Sequence, residues 1–190
     1  YTVATITMAQ TLLQNKWGAN LAIETNVGHT VMAQNFLANL NNYWFLFAKT
    51  TAWDNESSPD AEVKTTTSLS DLLGIYKVTT GKLVYPVTTA SSTTISYKNT
   101  YWEVAQSNDD AIANNARYVY LESEIDPDTL PYGQYRQVGI VSSPTVTSGK
   151  SYGKASEISN QGTLLGYTNE LVKSYDSTYS RYVVGYIVAL

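Results

Sequence analysis

The stretch YWFLFAKT, residues 43–50, narrows the fold more than any other. Six apolar, mostly aromatic residues in a row have the length of a strand and the composition of a pleated, buried surface. No polar residue alternates with them, so a strand here keeps no face for water. The run predicts a central, buried strand. RYVVGYIVAL, 181–190, is a second such run, and a strand this apolar must be paired and covered.

Around these two runs the pattern predicts a mainly β chain of the α+β kind, sandwich-like, with a few short helices. The clearest helix is expected near residues 30–41. There Thr30 is placed to cap, Met32, Phe36, Leu37 and Leu40 fall at helical spacing, and Asn41-Asn42 ends the run. Shorter helices are expected at 9–16, at LSDLLGI behind Ser68 with Asp71 completing a capping box, and at 109–116 behind Asp109. Strands are expected at 1–8, 20–26, IYKVTT and KLVYPVTT with a Gly81 turn between them, ARYVYLESEI, and YRQVGIVSS. ISY and TYWEVA should form a hairpin across Lys98-Asn99, since Asn tolerates the left-handed conformation such turns need. Residues 51–63 and the Gly/Ser-rich 148–162 read as loops. The division expected is an α/β portion over 1–88 and a β-rich portion over 89–190, unless the chain is a single domain.

Charge limits the function. Only 15% of the 190 residues are charged, the net charge is −4, and the basic residues are scattered. A polyanion partner needs clustered basic groups, so nucleic acid is not expected. There is no Cys, which removes disulfides and thiolate chemistry. No apolar run approaches the length needed to cross a bilayer, and no signal peptide is visible, so no membrane partner is expected. The surface must be largely neutral and polar. Such a surface is cheaper to desolvate against a partner than a charged one. Sixteen Tyr and four Trp suit an interface equally with a sheet protein that uses Tyr as a strand former.

Catalytic patterns are missing. His29 is the single histidine and has no motif around it. Glu122, Glu124, Asp126 and Asp128 alternate as cation ligands would, but Pro127 breaks the register and no calcium-loop pattern follows. Asp71, Glu103 and Asp109-Asp110 are the carboxylates a hydrolase reading would use, and any acidic protein supplies such pairs. Trp53 and Trp102 would serve a sugar-stacking module, or else brace loops and core. No metal, cofactor or catalytic residue is assigned.

LPYGQYRQVGIVSSP, 130–144, stands apart for its crowded turn. Pro131 and Gly133 turn the chain, and Tyr132, Tyr135 and Arg136 gather at the start of the strand. Arg136 offers a forked donor, expected to pin the acidic 124–128 loop or else to reach a neighbouring subunit. With Trp53 and Tyr186, these three are the interface candidates.

The order of elements also has a likeness. YWFLFAKTTAWDNESSPD leads a strand into a loop with Trp53 and Pro59. Later a Gly turn precedes Arg136, Gln137, Ile140 and the stop at Pro144. This resembles the structural proteins of tailed bacteriophages, in particular the baseplate wedge subunit of the T-even phages. The specific segments are 43–60 and 117–144. The chain is shorter than the T-even protein, and Lys49 and Ala52 stand where that family has Arg and Pro. The resemblance implies a mostly β, non-enzymatic virion subunit without cofactors, assembled in the host cytoplasm. Its partners would be copies of itself and other tail or baseplate proteins, and it would share in the change that triggers sheath contraction. The rival reading is a carbohydrate-binding β module of a virion or secreted protein.

Overall fold

The computed structural model describes residues 23–190. The strand and helix expected at 1–8 and 9–16 lie outside them. The rest is mostly β, as expected. Two five-stranded antiparallel sheets carry the fold, with one two-stranded ribbon beside them.

The first sheet is built around β1, Tyr43–Ala48. β2 (Gly74–Lys77) pairs on one side and β7 (Gly133–Ser142) on the other. β9 (Tyr152–Lys154) extends the β2 side and β11 (Thr163–Tyr175) the β7 side, giving the order β11-β7-β1-β2-β9. Tyr43, Phe45 and Phe47 enter the main core, while Leu46 and Ala48 enter a second cluster with Leu69, Ile75 and Val141. Both faces of β1 are therefore covered, which is why its sequence has no polar alternation.

The second sheet runs β12-β6-β3-β5-β4. Its members are β3 (Thr80–Val87), β4 (Ile95–Tyr97), β5 (Thr100–Val104), β6 (Tyr118–Ile125) and β12 (Tyr182–Ala189). In β6, Val119, Leu121, Ser123 and Ile125 are buried against the first sheet's core, following the two-residue period. The sheet is strongly curled, so the Tyr97 ring of β4 stands 6.1 Å from Tyr186 of β12. The β4–β5 turn has positive φ at Lys98 and Asn99, 45° and 62°, as its sequence predicts. β8 (Thr145–Val146) and β10 (Ile158–Asn160) form the ribbon, so the 148–162 region is partly built into the fold rather than a bare excursion.

Several boundaries differ from the sequence reading. Helix α1 spans Asn26–Ala38, and its cap is Thr25, whose hydroxyl accepts from Gly28 N at 3.0 Å. Thr30 lies inside the helix, buried, and its hydroxyl donates to Asn26 O. Residues 23–25 are not a strand. α1 sits in the main core through Ala33, Phe36 and Leu37, with Phe36 stacked on Tyr43 at 4.4 Å. Helix α2, Asn108–Ala113, is capped by Ser107 rather than Asp109.

No helix forms behind Ser68. Asp71 has φ +56°, and its carboxylate accepts from Thr50 Oγ1 (2.5 Å) and Thr51 N (2.7 Å), which ties the segment across to the end of β1. Gly81 lies within β3 beneath Leu37 and Leu40, not in a turn. β11 is the longest strand and has no counterpart in the elements expected above. Two irregularities break its alternation. Leu165 is an extra residue opposite β7, and Glu170, Leu171 and Val172 stand opposite Arg136 alone.

Candidate interaction surface

The second β11 bulge is where two of the candidates meet. A bulge frees backbone groups from the ladder, and each needs another partner. The carbonyl of Glu170 accepts from the indole Nε1 of Trp53 at 2.9 Å. Opposite the bulge, Arg136 is 4% exposed and donates in four directions. Its Nε reaches both Glu56 oxygens at 2.8 and 3.0 Å, and Nη2 reaches Glu56 Oε1 at 2.8 Å. Nη1 donates to Thr50 O at 2.9 Å, and Nη2 also to Gln134 Oε1 at 3.1 Å.

The loop from Thr50 to Glu56 is thus fastened by Trp53 at one point and Arg136 at another. Lys49 adds a cation over the Trp53 ring at 5.1 Å. The hydrogen bond from Arg136 holds the Glu56 carboxyl below the usual carboxylate range. Arg136 therefore pins a loop within the chain, but not the acidic 124–128 loop. That loop is held by tyrosines: Tyr76 OH donates to Asp126 Oδ2 at 3.3 Å and Tyr175 OH to Asp126 O at 3.0 Å. Glu56 was beyond reach of sequence reasoning, since nothing in its spacing points to β7.

Tyr135 and Tyr132 are joined through two tyrosines the sequence did not single out. Tyr135 is 1% exposed, edge-on to Phe47 at 5.1 Å, and its hydroxyl meets that of Tyr182 at 2.5 Å. Tyr182 stacks edge-on to Tyr175 at 5.4 Å, and Tyr175 lies 5.5 Å from Tyr132. Tyr132 is exposed, and its hydroxyl donates to Asp128. That bond is the chief reason its phenol is pushed up to about 12. Burial pushes the Tyr135 phenol far above its ordinary range. Tyr186 is buried between Phe45 and Tyr97, with Lys173 Nζ 3.3 Å from its hydroxyl. Of the five candidates, Tyr132 alone presents a ring to solvent.

The carboxylates are engaged locally. Glu122 accepts from Tyr120 OH at 2.6 Å, and Glu124 pairs with Arg181 at 2.6 Å. Glu103 accepts from Thr93 Oγ1, and Asp110 from Gln106 N. Among the described residues no three His, Asp or Glu side chains cluster as a metal site, and no helix is long and apolar enough to cross a membrane. His29 lies in α1 with Nε2 3.4 Å from Glu24. Trp102 packs edge-on to Tyr118 at 4.9 Å, a partly buried brace rather than an open platform. Two open grooves lie among the described residues: about 520 Å³ between the 62–66 loop and the first β11 bulge, and about 430 Å³ between β11, β12 and the Lys98 turn.

Comparison with known proteins completes the picture. A family model described as baseplate wedge 3 tail fiber network component matches residues 21–190. Virion protein 3 of Enterococcus phage phiEF24C is 32% identical over 123 residues, covering 63% of this chain and 67% of that protein. The family match agrees with the resemblance to tailed-phage baseplate proteins, and the relative is a phage virion protein. The chain belongs to the baseplate wedge 3 tail fiber network component family.

Proposed function

We propose that this chain is a non-enzymatic structural subunit of the tail or baseplate of a bacteriophage virion, working by protein–protein contact. The observation that carries the reading is the family match over 21–190, most of the chain. The architecture is in keeping with it. The side chains most suggestive of chemistry are spent on holding loops: Arg136 on Glu56, Asp71 on Thr50, Trp53 on Glu170. Such fastening keeps exposed loops in one shape, which lowers the ordering cost of docking.

Its partners are other tail or baseplate proteins and further copies of itself. It acts within the particle, after assembly in the host cytoplasm. Quantitative mass spectrometry of purified particles, split into capsid and tail fractions, tests this. The expected result is the chain in the tail fraction at a fixed ratio to the other tail proteins. Its presence only in the lysate, with none in washed particles, would overturn the reading.

A further inference from the structure

The loops joining β6 to β7 and β11 to β12 meet at one place, and four tyrosines form a continuous column there. Tyr132 to Tyr175 is 5.5 Å, Tyr175 to Tyr182 is 5.4 Å and Tyr182 to Tyr179 is 4.9 Å, the last two edge to face. Its middle is anchored in the core by the Tyr135–Tyr182 hydroxyl pair. Its two ends, Tyr132 and Tyr179, are 46% and 41% exposed. The Tyr132 ring is held through its hydroxyl, and the Tyr179 ring packs edge to face on Tyr182. Tyr132 is tied to Asp128, and Tyr179 N donates to Asp176 O at 3.3 Å.

Charge around the column is one-sided. The two loops and their strand ends supply Glu124, Asp126, Asp128 and Asp176, against one cation, Arg181, already paired with Glu124. Lys150 and Lys154 line a groove of about 320 Å³ with Asp128 and Glu157, so two cations stand across from Asp128 without forming an ion pair with it. Among the described residues Asp126, Asp128 and Asp176 form no ion pair and accept from hydroxyl and backbone donors. Exposed aromatic rings beside carboxylates that form no ion pair suit a cation: ring faces attract it and carboxylates pair with it. A neutral sugar could stack on the rings and donate hydroxyls to the carboxylates, but it would leave their charge unpaired.

We propose that this face docks an Arg- or Lys-bearing segment of another protein subunit, with Tyr132 and Tyr179 as aromatic anchors and Asp126, Asp128 and Asp176 as charge partners. It rests on the structural role proposed above and names the partner's chemistry. Rigid tyrosines are favoured anchors because little side-chain freedom is lost on contact.

The test is a titration of the full chain with a short fluorescent peptide alternating Arg and Gly, with a Glu–Gly peptide and neutral oligosaccharides as comparisons. The Arg–Gly peptide is expected to bind, with affinity falling as salt rises. Tyr132→Ala/Tyr179→Ala should weaken it about tenfold or more, and Asp128→Asn should weaken it as well. The ring-preserving Tyr132→Phe/Tyr179→Phe should retain most of the binding, which separates ring contact from loss of fold. Equal affinity of the double alanine variant, equal binding of the Glu–Gly peptide, or binding of oligosaccharides in place of the Arg–Gly peptide would overturn the proposal. Particle composition separates the two readings. If washed particles contain the chain and incorporate the double alanine variant as well as the wild type, the docking chemistry fails while the structural role stands.

Discussion

Arg136 and Glu56 lie 80 residues apart and meet side-on, with Nε 2.8 and 3.0 Å from the two carboxylate oxygens. Together with the Trp53–Glu170 bond, the contact closes the loop that leaves the end of β1. Arg136→Ala leaves the Thr50 carbonyl and the Gln134 amide without a donor as well. The expected loss is about 1–3 kcal/mol, from the hydrogen bonds and packing of the buried guanidinium, since Glu56 itself is partly exposed. Arg136→Lys should recover only part of it, because a point ammonium does not span these acceptors. Urea unfolding of the two variants measures this, and equal stability of Arg136→Lys and wild type would refute the forked geometry.

Acid should weaken the same fastening. Glu56 and Asp71 both have carboxyls held below the ordinary range, by Arg136 and by the Thr50 hydroxyl respectively. A depressed carboxylate adds stability that is present above its unfolded value and is lost as pH falls through its folded one. Stability should therefore fall on going from pH 7 into the carboxylate range and below. Glu56→Gln should flatten part of that acid limb, as read from urea midpoints across the series. An unchanged slope would mean the pair contributes nothing to folding.

The Tyr135–Tyr182 pair is an exchange between two phenols, one of them buried. Tyr182→Phe strands the Tyr135 hydroxyl and should cost about 1–2 kcal/mol. Tyr135→Phe/Tyr182→Phe removes both polar groups and should cost less than the sum of the two single changes. A double-mutant cycle gives the coupling, and additivity would show that the hydroxyls do not interact.

Two glycines with positive φ separate backbone conformation from packing. Gly149, φ +66°, has open space where a Cβ would stand, so Gly149→Ala should cost about 1 kcal/mol from conformation alone. Gly162, φ +78°, leads into β11, and a Cβ there would run into the carbonyl of Ser142. Gly162→Ala should cost clearly more, about 2–3 kcal/mol, by adding a steric clash to the same conformational strain. Thermal melts of the two variants give the comparison, and equal shifts would contradict it.

How much was legible followed from how locally each feature is determined. β1 and β12 announced themselves because almost every residue in them is apolar. The Lys98-Asn99 hairpin did so because its turn chemistry sits within two residues. α1 was found but started late, since Thr25 and Thr30 are both acceptable caps and only the fold shows Thr30 bonding back to Asn26. The helix expected behind Ser68 failed because Asp71, suited to a capping box, is captured by Thr50 and Thr51 on another segment. β11 was hidden by its two bulges, which shift side chains to the opposite face and erase the period. The crowded turn expected at 130–136 is shorter than its sequence suggests, since Gly133 already lies in β7, paired with Tyr175, and most of its partners come from far away. Tyr132 bonds Asp128 of the nearby acidic loop and packs on distant Tyr175, while Arg136 works through Glu56 rather than through that loop.

The most direct measurement is cross-linking mass spectrometry on intact, purified particles of a phage that encodes this chain. A structural subunit should give reproducible links from its surface lysines to other tail or baseplate proteins, with those at Lys150 and Lys154 reporting the face beside Tyr132. Particles that contain no peptide of this chain, or a chain linked only to itself, would contradict the account.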